Sequence, residues 1–155
     1  MFVLKVFIGV ISILTAVKIG KNKADAKKEC YFYFQNMLFL CDKIISDLSY
    51  KKSNLYEILN YKYSSNEFIK TVNSFIKRNP LYVPEFLSFE ESMFVQNYFS
   101  SLGTLDSNTQ IKNLEAFKDE IKKIYNEKYQ DFKKYYTLFM KLGFVSGLTL
   151  FILVI

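Results

Sequence analysis

The chain is strongly apolar at both ends and amphipathic between them. Phe2–Ile19 is interrupted by charge only at Lys5 and Lys18, and Leu138–Ile155 only at Lys141. A helix of 18 residues is about 27 Å long, close to the roughly 30 Å hydrocarbon core of a bilayer. The pattern therefore predicts transmembrane helices over 1–20 and 138–155, with the three lysines reaching towards the interfaces. A cleavable signal peptide ending near Ala24-Asp25-Ala26 is a rival reading of the first segment. Its lysines follow the apolar run rather than precede it, the wrong polarity for export. A buried core helix is the other rival, but the run has no polar face to show to water.

Residues 21–137 read as one helical domain. Gly103, Pro80 and Pro84 are the only glycine and prolines there, so long helices are expected. Cys30, Phe34, Met37, Cys41, Ile44 and Leu48 recur every three or four residues, and Tyr31, Leu38 and Ile45 widen that stripe to bundle width. Ser53 is placed to cap a short helix carrying Leu55, Ile58 and Leu59. Ser64-Ser65-Asn66-Glu67 has the spacing of a capping box ahead of Phe68, Val72, Phe75 and Ile76, with Asn79-Pro80 as the stop. Ser88-Phe89-Glu90-Glu91 is a second capping box, before Phe94, Val95, Tyr98, Phe99 and Leu102, and Gly103 ends that helix. Asp106 caps the last helix, whose apolar row runs from Ile111 through Leu114, Phe117, Ile121 and Ile124 to Phe139 without a breaker. The fold class expected is all-α: an antiparallel helical bundle flanked by N- and C-terminal transmembrane helices.

Charge sets the orientation. Lys18, Lys21, Lys23, Lys27 and Lys28 follow the first span, and Lys122, Lys123, Lys128, Lys133 and Lys134 precede the second. By the positive-inside rule the bundle is expected in the cytoplasm, with both termini across the membrane. The net charge of +6 comes almost wholly from lysine, Arg78 being the sole arginine, which argues against sequence-specific nucleic-acid recognition. An aromatic row from Tyr125 to Phe139 could stack bases, but its helical spacing fits packing or an interfacial belt better.

Catalytic, cofactor and metal sites are not expected. Histidine is absent, and Cys30 and Cys41 are about 16 Å apart along one helix, too far to bridge. They read as small core residues. Glu90-Glu91 and Asp119-Glu120 are helix neighbours pointing about 100° apart, which does not let either pair share a proton or a metal. Gly143 and Gly147, with Leu142, form a small-xxx-small surface suited to helix packing within the bilayer.

Two stretches carry a resemblance. Leu102–Leu114 (LGTLDSNTQIKNL) and Lys141–Ile155 (KLGFVSGLTLFILVI) are similar to the stage III sporulation protein AB family, through Leu102, Gly103, Asp106 and Gln110 and then Leu142 and Gly143. Asp47, Leu48, Tyr50, Leu55 and Glu57 agree with a further family segment, although Asn54 stands where the family usually has proline. The resemblance implies a non-enzymatic component of a secretion-like channel assembly in the mother-cell membrane around the forespore. It also implies a bundle like that of type II secretion platform proteins. The partners it implies are a cytoplasmic ATPase, stage III sporulation protein AA, and other membrane proteins of the complex, with self-association left open.

On that basis Leu102, Gly103, Asp106, Gln110, Asp47 and Tyr50 form a candidate partner interface. The blander reading of Asp106 and Gln110 is a helix cap plus a surface amide. If instead this corner docks the ATPase, Gln110→Ala is expected to leave melting unchanged yet abolish partner capture. An unrelated membrane-anchored helical adaptor, or a tethered nucleic-acid binder, are the alternatives.

Overall fold

The computed structural model describes residues 2–50, 55–59, 61–104 and 106–154, and side chains for these except 2–17, 19–23, 56, 144, 147, 148 and 150–154. Five helices follow one another: α1 (Phe2–Tyr50), α2 (Leu55–Leu59), α3 (Asn66–Ile76), α4 (Phe89–Ser101) and α5 (Ser107–Val154). No strand occurs among the described residues. The chain divides into two compact units: Glu29–Glu127, the bundle, and a second unit made from the outer parts of α1 and α5, Met1–Lys28 with Lys128–Ile155.

The bundle core follows the predicted stripes. Cys30, Phe34, Met37, Cys41 and Ile44 of α1 are buried, as are Phe68 and Val72 of α3. Val95, Tyr98 and Phe99 of α4, and Leu114 and Ile121 of α5, complete it. Leu38, Ile45 and Leu48 pack against this core from the side. Edge-to-face rings tie the layers: Tyr33 to Phe68 at 5.3 Å, Tyr63 to Phe68 at 4.9 Å and Tyr98 to Phe117 at 5.5 Å between centroids. The Cys41 thiol donates to the Leu114 carbonyl at 3.2 Å, and Lys118 meets Asp42 at 2.5 Å. Ten residues earlier in α1, the Tyr31 ring lies 5.7 Å from that of Tyr125 in α5, so the two helices run antiparallel and the end of α1 and the start of α5 lie at the same end of the bundle.

Helix ends are local where the sequence is explicit. Ser88 accepts from the Glu91 amide at 3.2 Å while the Glu91 carboxylate accepts from the Ser88 amide at 2.9 Å, the reciprocal box expected. The α3 start differs from expectation. Its cap is Ser65, accepting from the Phe68 amide at 3.0 Å. The carboxylate completing the arrangement comes from α1: Glu29 accepts from the Ser65 hydroxyl at 2.7 Å and from the Glu67 amide at 3.2 Å. Glu67 instead turns outwards to accept from Lys70 at 2.6 Å and Tyr82 at 2.5 Å, and these bonds hold its carboxyl below the usual range. The α3 end also differs, because the helix stops before Asn79-Pro80. Arg78 takes φ 55°, the Arg78 amide donates to the Phe75 carbonyl and the Asn79 amide to the Ser74 carbonyl. That is a Schellman turn built without glycine.

Cys30 and Cys41 are free and buried, as expected. Burial pushes the Cys41 thiol and the Tyr63 phenol up to about 12, and raises Tyr33 and Tyr98 further. These groups are neutral in the folded bundle. The unfolded chain begins to lose their protons near pH 9–10, so stability is complete below that range and falls as pH rises towards the folded values. Melting temperature is therefore expected to drop steeply between about pH 9 and 11. Tyr98→Phe should lessen the drop; an identical pH profile for the variant would discount the buried phenol as a cause.

Among the described residues no helix is long and apolar enough to cross a membrane. The expected spans Phe2–Ile19 and Leu138–Ile155 fall largely on side chains outside the described residues, as does the expected cap Ser53.

Candidate functional site

The candidate interface centres on the turn between α4 and α5. Leu102 ends α4 with its side chain buried and its backbone already extended. Gly103 follows with φ 76°, the left-handed conformation that glycine adopts without strain. A Cβ added there would meet Leu55 at 3.8 Å, so the start of α2 lies over this turn. Asp106 caps α5 as expected: its carboxylate accepts from the Thr109 amide at 3.2 Å and its carbonyl from the Gln110 amide at 2.8 Å. Bonds from Thr109 keep the Asp106 carboxyl below its ordinary value.

Gln110 corrects the surface reading. Its side chain is only 4 % exposed, and neither its amide nitrogen nor its oxygen has a hydrogen-bond partner. Gln110 stands one turn before the buried Leu114, on the inward stripe of α5. The expectation that Gln110→Ala spares melting is therefore withdrawn, because truncation would open a cavity. A same-length apolar replacement removes the unmet desolvation instead, worth about 1–3 kcal/mol. Gln110→Met is accordingly expected to raise the melting temperature. A lower value would mean that the amide is hydrogen-bonded by water.

Tyr50 is 87 % exposed at the end of α1, and Asp47 is half-buried nearby on the same helix. The surface offered at this end is thus Tyr50, Gly103 and Asp106, with Leu102 and Gln110 beneath. In the end unit, a Cβ on Gly143 would meet nothing within 4 Å among the described residues, and Leu142 is 54 % exposed. No described neighbour in the chain packs on that face. Gly147 lies among side chains not described.

No cluster of three or more metal-ligating side chains occurs among the described residues. Charge is unevenly divided. Of 21 basic and 15 acidic residues, ten lysines and two aspartates fall in the end unit, leaving eleven basic and thirteen acidic in the bundle. The bundle is therefore slightly acidic, a poor surface for a polyanion.

Comparison with known families matches residues 83–155 to stage III sporulation protein AB. Over this stretch, somewhat less than half of the chain, the protein is similar to that family. The family region takes in α4, the Gly103 turn and all of α5, hence Leu102, Gly103, Asp106, Gln110, Leu142, Gly143 and Gly147. Asp47 and Tyr50 lie outside it. Neither the curated proteins nor the solved structures contain a match.

Proposed function

We propose that this protein is a membrane-anchored, non-enzymatic scaffold of a sporulation channel or secretion-like complex, coupling a cytoplasmic ATPase to the membrane assembly. The observation that carries the membrane part is the distribution of apolar exposure on the outer part of α5. Tyr136, Leu138, Met140, Leu142 and Val145 are each at least half exposed. At 100° per residue they fall on two opposite sides of the helix. A single protein partner covers one stripe of a helix, whereas lipid accepts apolar side chains on opposite sides at once.

The family match supports the sporulation setting, and the lysines flanking both apolar ends support a bundle on the cytoplasmic side. The coupling role rests on the exposed end of the bundle, which carries both the aromatic Tyr50 and the Asp106 cap. The same resemblance names stage III sporulation protein AA as the ATPase.

Two measurements test the reading. The full chain should resist extraction from membranes by alkaline carbonate and yield only to detergent; release without detergent removes the anchor. In detergent, the chain and the ATPase should co-elute on gel filtration at micromolar concentration, and Tyr50→Ala should weaken the pair at least ten-fold. Separate elution of the parent proteins removes the coupling role.

A further inference from the structure

We propose that Lys133, Lys134 and Lys141 of α5 bind the phosphate of an anionic phospholipid at the membrane surface; the inference rests on the membrane placement above. These three lysines, with Gln130, Thr137 and Leu138, line an open hollow along one side of the helix. Gln130, Lys134, Thr137 and Lys141 are spaced four, three and four apart, a single helical stripe, with Lys133 and Leu138 on its two borders.

The donors in the hollow are the ammonium groups and the Gln130 amide. The Thr137 hydroxyl gives its proton to the Lys133 carbonyl at 2.8 Å and so offers only an acceptor. No carboxylate lines the hollow. Asp131 is the only acidic residue between Lys128 and Ile155, and its carboxylate is 3.9 Å from Lys27 of α1. Lys27 lies also over the Tyr135 ring, 5.2 Å from its centroid. The charge of the three lysines is thus not neutralised within the hollow.

Position selects a lipid phosphate over a soluble anion. Lys134 and Lys141 are about 10 Å apart along the axis, comparable with the roughly 5–8 Å headgroup layer of one leaflet. Leu138 stands in the wall between them, and the exposed Leu142 and Val145 continue beyond Lys141. A lipid with its phosphate among the lysines could lay its acyl chains on that apolar surface. A free phosphate or a nucleic acid would leave the surface unmet. The long lysine stems suit an interface, running along apolar surface while the charge reaches the headgroups.

The test uses the full chain reconstituted in phosphatidylcholine vesicles containing trace spin-labelled phosphatidylglycerol or spin-labelled phosphatidylcholine. The motionally restricted fraction reports lipid held at the protein. A preference for phosphatidylglycerol of about three- to ten-fold is expected, given how strongly each juxtamembrane lysine attracts an anionic surface. It should fall to about one in the Lys133→Gln, Lys134→Gln, Lys141→Gln triple variant. The remote triple variant Lys112→Gln, Lys122→Gln, Lys123→Gln should keep it.

An equal fall in both variants would show a general charge effect and overturn the site, as would an unchanged preference in the first. Loss of the preference on adding 10 mM inorganic phosphate at constant ionic strength would make the hollow a free-anion site and overturn the lipid assignment. Restricted lipid without any headgroup preference defeats this inference alone. No restricted lipid of either kind defeats the membrane reading together with it.

Discussion

Phe68→Ala is expected to destabilise the bundle by about 3–5 kcal/mol, the range for removing a buried aromatic ring. Phe68 of α3 has no exposed surface, and its ring is edge-on to Tyr33 and Tyr63 and tilted against Phe99 at 6.3 Å. It therefore joins α1, the α2–α3 connection and α4. Its neighbours are themselves held: the Tyr33 hydroxyl is 3.1 Å from the Thr71 hydroxyl, and the Tyr63 hydroxyl donates to the Ile58 carbonyl at 3.4 Å. Collapse into the vacated space would have to break such bonds, which places the expected cost towards the upper part of the range. For a domain of this size each kcal/mol moves the midpoint by about 4–8 °C, so thermal unfolding followed by circular dichroism should shift down by more than about 12 °C. Phe89→Ala is the control. That ring is 78 % exposed, and its loss should stay within about 0.5 kcal/mol. Equal shifts for the two variants would contradict the core described above.

The second large effect concerns the membrane. Val145 is 57 % exposed in the apolar end of α5 and near the middle of the expected second span. An aspartate near the centre of a membrane-spanning helix costs about 2.5–3.5 kcal/mol of insertion free energy, which is on the order of a hundred-fold in the insertion equilibrium. Because the first apolar segment could still hold the chain on the membrane, the readout must follow α5 itself. A Thr149→Cys reporter should be protected from a membrane-impermeant maleimide in the parent chain and become labelled when Val145→Asp is added. The native thiols are buried and should react slowly in both. Rapid labelling of the reporter in the Val145 parent would remove the second span.

The two arms of the proposed function draw on different parts of the chain. The lipid-facing part uses α5 beyond Lys128, whereas partner capture uses the opposite end of the same helix, at Asp106, together with Tyr50. Variants at one end should therefore leave the readout of the other unchanged.

Local chemistry was legible from the residues alone. The Ser88–Glu91 box, the Asp106 cap and the Gly103 turn each close through partners within about four residues, so their identities sufficed. The α1 stripe was equally legible, because a 3.6-residue repeat determines which side of a helix must leave water. Burial of Gln110 and Glu29 standing in for the carboxylate at α3 were decided only by tertiary structure. Each depends on which helix packs where: a polar residue one turn into a helix looks outward until an antiparallel neighbour covers it. The separation of a lysine-rich end unit from a slightly acidic bundle likewise appeared only once residues more than 100 positions apart were brought into one body. Periodicity along a chain specifies a face, and only packing specifies what that face meets.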